Sequence, residues 1–383
     1  MSSPRLFRLT CLIWLALLWL GGVLSAQAPA ATSPASLPEL RLDTGREIFE
    51  AACIACHGPG GRGQPQTTLG FEPPPAFPDF SDCNGSTRER TWDWRAIIHE
   101  GGPRRGFSEI MPAFGDALTL DQIDRVMAYL REQCPEPAWP LGELNLPRAL
   151  FTEKAFPEDE WVIESGVNAN GRGAVSNRII YEKRFGARNQ LEIAVPFAFE
   201  HGAAEWVGGV GDVVAGYKRV LFSSLPAGAI VSVVGEAALP TGHDARGLGA
   251  GVPRFETFLA AGQLLPHLSF VQIQTGGEVP TDTGKAPRAV FGRLAVGKSL
   301  ATAQSFGRLW TPIVEVLMDR EFHAHAHTSW DIVPQVQVTL NRRQHVRVNV
   351  GIRHPLRNTD GRSTQLVFYG LWDFFDGGLR DGW

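Results

Sequence analysis

The stretch VRVNVGIR, Val346–Arg353, alternates without a break. Val346, Val348, Val350 and Ile352 fall on one side of an extended chain, and Arg347, Asn349, Gly351 and Arg353 on the other. A period of two marks a strand with one apolar and one polar face. The pattern recurs upstream. Leu191, Ile193, Val195, Phe197 and Phe199 alternate with Gln190, Glu192, Ala194, Pro196 and Ala198, and Trp310, Val314, Val316 and Met318 with Thr311, Glu315 and Asp319. About twelve such runs follow one another, near residues 160–168, 175–185, 190–200, 211–223, 229–240, 255–264, 268–276, 289–300, 309–319, 331–340, 345–354 and 364–375.

Each run is close to the ~9–11 residues that a tilted strand needs to cross a bilayer. No apolar run of ~18 residues occurs after the N-terminal segment, so the mature chain offers no transmembrane helix. The links near Gly186–Asn189, Leu225–Gly228, Pro266–His267 and Asn341–Gln344 are short, and the alternate links His201–Val210, Thr241–Arg254, Gly277–Arg288 and Glu321–Trp330 are mostly longer. Leu300–Arg308 is the mild exception. Aromatics sit near run ends, at Trp161, Phe185, Trp206, Phe222, Trp310, Trp330, Trp372 and Phe375, as interface girdles require. The chain also ends in an aromatic, Trp383. In these respects residues 160–383 resemble bacterial outer-membrane β-barrels. The resemblance implies an all-β antiparallel barrel of about twelve strands, with outer-membrane lipid around it. A soluble β-sandwich shows the same alternation and is the competing architecture. In a barrel, Arg178, Glu182, Glu192, Glu236, Arg293, Glu315, Arg347 and Arg353 would face inward, a lumen of both signs.

The N-terminal part is different. At 383 residues the chain exceeds one ordinary domain, and composition changes after Pro147. A net charge of −4 gives no reason to expect a nucleic-acid partner. Arg5 and Arg8 precede an apolar run from Leu9, and small residues follow at Ser25, Ala26 and Ala28. This reads as an export signal over residues 1–26, with an Ala-, Pro- and Ser-rich leader at 27–39. An uncleaved anchor is the alternative, although the apolar run is short for a membrane span.

Of five cysteines, Cys11 leaves with the signal, and Cys83 and Cys134 are an even pair in an oxidising compartment, expected to be bonded. The other two belong to CIACH, Cys53–His57. Two thiols three positions apart can reach both vinyl groups of one haem, and the next residue places an imidazole beneath the iron. Thr44 and Glu47 have capping-box spacing just before it, with Ile48, Phe49 and Ala52 as the apolar stripe of a helix. A second axial ligand is expected downstream. Met111 lies in EIMPAFG, a loop that can offer its thioether free of helix register. Met127 sits among Ile123, Val126 and Leu130 on a helix opened by Thr119 and Gln122, where core packing is its expected role. His99 competes with Met111, which suits a soluble carrier of raised potential better. A zinc site would need further Cys or His at suitable spacing, and none is present. Gly58, Gly60 and Gly63 spell a dinucleotide-binding pattern, but they run into Pro65 rather than leaving a strand and opening a helix, and read as a loop beside the haem. Phe71, Phe77, Phe80, Trp92, Trp94, Ile97, Phe107 and Phe114 are available to line an apolar crevice.

Residues 40–137 thus resemble a class I cytochrome c, through Cys53, Cys56, His57, Met111-Pro112 and the closing helix Leu120–Gln133. The resemblance implies an all-α domain carrying one covalent haem c at Cys53 and Cys56, with His57 and Met111 on the iron. Residues 138–159 are expected to be a linker. The whole is similar to fused cytochrome–porin proteins that exchange electrons with iron outside the cell. Its barrel is narrow, and a domain of ~100 residues, with a radius of gyration of about 13 Å, should stay outside it. The expectation is therefore an electron-transfer protein, not clearly a turnover enzyme, anchored in the outer membrane with its haem domain on the periplasmic side. It would serve a periplasmic redox partner and, on the resemblance, extracellular iron. The alternatives are a solute channel with a cytochrome as redox partner or sensor, and a soluble periplasmic cytochrome with a docking sandwich. His323, His325 and His327 share one face of extended chain, but a solvated loop is the simpler reading than a metal site.

Overall fold

Two capping boxes start the helices that frame the N-terminal domain. Thr44 accepts from the Glu47 amide and Glu47 reaches back to the Thr44 amide, opening α1, Gly45–Ala52. Ile54–His57 follow as the single turn α2, and Cys83–Ser86 as α3. Next comes α4, Thr91–Glu100, and then α5, Leu120–Arg131, opened by the same device at Thr119 and Gln122. Ile48 and Phe49 of α1 bury against Ile123, Val126, Met127 and Leu130 of α5, with Trp94, Ile98 and Leu118 completing the core. Met127 is core packing, as its helical spacing predicts. The two helices cross at Gly45, where a Cβ would lie 2.0 Å from the Arg125 carbonyl oxygen. Cys83 and Cys134 are disulfide-bonded, tying α3 to the end of α5.

The computed structural model describes residues 41–64, 72, 77–201, 205–300 and 308–383. The expected signal peptide and leader, with Cys11, and also Phe71, lie outside the described residues. Leu42–Trp383 form one compact unit.

The alternating runs become strands: β1 Glu160–Asn168, β2 Ala174–Phe185, β3 Asn189–His201, β4 Trp206–Val210, β5 Val213–Ser224, β6 Ala229–Leu239, β7 Arg254–Leu265, β8 Ser269–Pro280, β9 Arg288–Lys298, β10 Trp310–Phe322, β11 Ser329–Thr339, β12 Val346–Arg357 and β13 Gln365–Asp373. All pairings are antiparallel between neighbours. β4 and β5 pair with successive halves of β3, so they act as one broken stave. β1 pairs with β13, Trp161 opposite Trp372, and the twelve staves close into a ring. Closure leaves no sheet edge to protect.

The burial of side chains is inverted relative to a soluble protein. Ile163, Leu191, Ile193, Leu259, Ile273, Val296, Val350 and Leu366 are exposed on the outer wall. Glu182, Gln190, Lys218, Ser232, Gln272, Glu315 and Asn349 are buried on the inner one. An apolar belt of this extent facing outward and a polar interior exclude the β-sandwich, whose apolar faces would meet. Among the described residues no helix is long and apolar enough to cross a membrane. Trp161, Phe185, Phe222 and Trp310 ring the short-turn end, and Trp206, Phe255, Phe322 and Trp330 the long-loop end. Two aromatics depart from the expected girdle. Phe375 lies under the Arg88 guanidinium, 4.1 Å from the ring centroid, at the junction with the helical domain. Trp383 is not at the end of a strand; it follows a tail after Asp373 and donates its indole N–H to the Leu379 carbonyl.

Residues 142–159, within the span expected as a linker, lie buried inside the barrel. The physical reason is satisfaction of an irregular backbone by the inner wall. The Leu150 amide donates to Glu315 and Gln335 at 2.9 and 3.0 Å, and the Thr152 amide to Glu315 at 2.7 Å. Tyr369 donates to the Arg148 carbonyl at 2.7 Å, Gln272 to that of Pro147 at 2.8 Å and Arg293 to that of Phe151 at 3.1 Å. Arg148 pairs with Glu182 and Glu160, and Lys218 with Glu153. The partners come from staves all round the ring, so this segment plugs the lumen. The inward charges expected from sequence thus include its main ligands.

Candidate functional site: the CIACH turn and its surroundings

The CIACH motif occupies the end of α1 and all of α2. Cys53 caps the first helix, and Ile54–His57 make one further turn. The chain then reverses at Gly58, whose φ is 71° and whose Cβ would stand 1.9 Å from the Gly63 carbonyl oxygen. The Gly63 amide donates back to the His57 carbonyl at 2.7 Å. The glycines are therefore a tight return beside the motif, with no strand before them, as their sequence context predicts.

Among the described residues Cys53 and Cys56 are the cysteines left unbonded. Burial, reinforced by the neighbouring Cys56, pushes the Cys53 thiol up to about 11. Burial also holds the His57 imidazole below the usual histidine range. Its Nδ1 is buried without a hydrogen-bond partner. Phe77 stacks on the His57 ring at 5.1 Å between centroids, and Phe80 meets it tilted at 5.5 Å. Phe80 in turn packs edge-on to Trp94 at 5.2 Å. The result is a neutral imidazole with a spare nitrogen in an aromatic shell, next to two thiols.

Met111 sits in the loop after α4. Its carbonyl accepts from the Gly102 amide at 3.0 Å, which pins the loop to the helix end. Its side chain is half-buried against the same core that receives Cys53, Ile54, Phe80 and Phe114. His99 is placed otherwise: its Nδ1 lies 2.7 Å from Glu100 Oε1, and its ring edge abuts Gly115. Trp94 and Phe114 belong to the core beside the CIACH turn, but Phe107 does not line it. Phe107 lies under Arg343, 4.4 Å from the guanidinium, against the barrel. Trp92 lies under Arg90, at 5.3 Å.

The donor set fits a haem and not a zinc ion. Cys53, Cys56 and His57 do not bring their ligand atoms together as a shared metal needs; among the described residues Glu153, Glu192 and Glu236 are the group that does. His323, His325 and His327 do not converge either, and His323 is engaged by Glu321 at 3.2 Å. Two thiols spread along a turn and a single imidazole suit a planar ligand held at its rim and at its centre.

Residues 40–130 match the family described as "Cytochrome C oxidase, cbb3-type, subunit III". These residues are a cytochrome c domain. The cytochrome domain is thus joined to a twelve-stranded closed barrel. No curated protein matches the chain. Among solved structures it is similar to the COG4313 outer membrane channel from Pseudomonas putida F1, at 13% identity, with 59% of this chain and 99% of that one covered and a TM-score of 0.40. The NanC porin is similar at 9% identity, 56% and 98% coverage and a TM-score of 0.41. KdgM porin in complex with disordered oligogalacturonate is similar at 8% identity, 56% and 99% coverage and a TM-score of 0.36. The barrel assignment itself stands on strand register and inverted burial.

The cytochrome domain packs on the short-turn end of the barrel. Arg88 forms a buried ion pair with Asp159, which also accepts from the Arg184 amide at 3.0 Å and pairs with Lys183 at 2.9 Å. Arg343, in the turn before β12, donates to the Gly106 carbonyl at 2.9 Å. Arg90 donates to the Asn145 carbonyl at 2.8 Å, and the Thr91 amide to Glu143 at 2.7 Å. Sequence reasoning missed this junction, because its partners are brought together by the plug and by the C-terminal tail. The arginines clustered between Arg88 and Arg105 were the available signal.

Proposed function

We propose that this chain is a single-haem c-type electron carrier, held at the periplasmic side of the outer membrane by a plugged β-barrel. Cys53 and Cys56 would carry the haem covalently through thioethers, and His57 and Met111 would be its axial ligands. The bound haem supplies reversible one-electron exchange between Fe(III) and Fe(II). The chain's own residues do the rest. His57 is kept neutral by burial and so presents a lone pair. Phe77 and Phe80 fix its ring and exclude water, and the Gly101–Gly102 turn holds the Met111 loop in place. A dry shell of this kind and a thioether ligand both raise a haem potential.

The observation that carries the anchoring role is the plug. Leu144, Thr152, Lys154 and Phe156 are each no more than 2% exposed within the lumen, which leaves the barrel filled with polypeptide. Short turns face the periplasm in outer-membrane barrels, and the cytochrome domain packs on that end. A periplasmic redox protein is then the natural electron partner. Extracellular iron is a weaker candidate, since one haem on the far side of a filled lumen and an apolar band ~25 Å tall bridges that distance poorly.

The test uses sealed outer-membrane vesicles of known orientation. Haem reduction by an impermeant donor on the periplasmic side alone is the expected result, together with no steady conductance in planar bilayers. Reduction by the same donor from the outer side, or recovery of the haem protein in the soluble periplasmic fraction, overturns the reading.

A further inference from the structure

At the junction, one carboxyl group from each domain meets the other. Glu89, between α3 and α4 of the cytochrome domain, is hydrogen-bonded side chain to side chain with Asp376, in the tail that follows β13. Both line one cavity of about 40 Å³, room for roughly three waters. Two carboxylates cannot hydrogen-bond unless one holds a proton.

The surroundings say which one holds it. Arg90, Arg105 and Arg131 face Glu89 from the cytochrome domain. Arg347 and Asp373 face Asp376 from the barrel. Arg88, Asp93, Glu158 and Arg343 complete the charged lining of the cavity. Burial alone would raise Glu89, but the bond from Asp376 and the three arginines outweigh it and hold Glu89 below the usual carboxylate range. Burial, then the Glu89 charge and then Asp373, push Asp376 well above that range. The proton therefore sits on Asp376, which donates to the Glu89 carboxylate.

We propose that this shared proton latches the cytochrome domain to the barrel, so that the seating of the haem domain on the membrane is controlled by pH. Asp376 is the group raised on docking. Its contribution is fully present below its undocked pKa and is lost as pH rises through its docked pKa. Above that point two negative charges face each other across the joint, and the domain is freer to swing on its connection to the plug. The proposal needs only the seating of the two domains and does not rest on the redox reading.

Hydrogen exchange on the full-length, haem-loaded protein in detergent tests it. Protection of residues 86–93 and 374–381, corrected for intrinsic exchange, should fall as pH rises, by about tenfold for each pKa unit by which docking raises Asp376. Asp376→Asn keeps a donor toward Glu89 at every pH, and its protection should stay flat and high. Glu89→Gln takes away the charge that faces Asp376 and should weaken the pH dependence without abolishing it, because burial and Asp373 still act on Asp376. Protection in the natural protein that is indifferent to pH overturns the latch. So does a pH dependence that survives unchanged in both variants. Because haem loading is scored independently by absorbance, failure of the latch is distinguishable from failure of the electron-carrier reading.

Discussion

Glu315 Oε2, on the inner wall of the barrel, lies 2.7 Å from the backbone nitrogen of Thr152 and accepts from the Thr152 hydroxyl at 2.6 Å. The same carboxylate accepts from the Leu150 and Phe151 amides and from Gln335. Glu315 is completely buried, so it is the anchoring point of the plug. Glu315→Ala strips the acceptor from the Phe151 and Thr152 amides, each costing about 1–3 kcal/mol when left unpaired, and leaves the Leu150 amide only Gln335. The plug should loosen while the lipid-facing wall, which Glu315 does not touch, stays folded. Planar bilayers should show discrete openings for the variant against a silent natural protein. A variant as silent as its parent would show that the plug is held elsewhere.

The Met111 assignment separates from the His99 alternative by ligand replacement. Met111→Ala should keep the covalent haem, because Cys53 and Cys56 are untouched. It should lose the sulfur-to-iron charge-transfer absorption of the ferric form and lower the potential by a sizeable part of the ~0.8 V that axial ligation commands. His99→Ala should leave both unchanged, since Glu100 holds the His99 Nδ1 and the Nε2 edge of the ring is packed against Gly115. The opposite pair of results would move the sixth ligand to His99.

The staves were legible from sequence because lipid on one side and plug on the other impose a period of two. The twelve expected runs lie within a few residues of the observed strands, and Arg178, Glu182, Glu192, Arg293 and Glu315 turn inward as alternation requires. The helices were legible because Thr44 with Glu47 and Thr119 with Gln122 are local signals. The plug was not legible. GELNLPRALFTEKAFPEDE, Gly142–Glu160, carries neither period, and its order comes from partners far along the chain: Glu315 is 163 residues from Thr152, and Tyr369 is 221 from Arg148. Trp383 misled for a related reason, since a terminal aromatic says nothing of whether its strand has already ended ten residues earlier, at Asp373.

Cys53 offers a test of the pocket in the haem-free chain. The thiolate is the nucleophile, so a thiol pushed up to about 11 stays protonated and unreactive at neutral pH. Alkylation of Cys53 by iodoacetamide, followed by mass spectrometry on the folded protein, should speed up about tenfold per pH unit and level off only near that value. The denatured chain should react at the rate of an ordinary thiol, with a pKa near ~8.5. Folded Cys53 that reacts as fast as the denatured control at neutral pH would mean that the pocket does not bury it.

The disulfide between Cys83 and Cys134 closes a sequence separation of 51 residues. Chain-entropy reasoning gives such a loop about 4 kcal/mol. The bond lies within the cytochrome domain, where it also holds α3 beneath α5, with Arg131 reaching the Ser86 and Glu89 carbonyls. Removing it with paired Cys83→Ser and Cys134→Ser substitutions should therefore act on that domain alone. Haem-band melting should shift down by at least about 15 °C, given ~4–8 °C per kcal/mol for a domain of this size. The barrel, closed by its own ladder from β1 to β13, should keep its unfolding temperature when followed by far-ultraviolet dichroism. A barrel transition that falls in step with the haem band would mean instead that the two domains melt as one, through the Arg88–Asp159 junction.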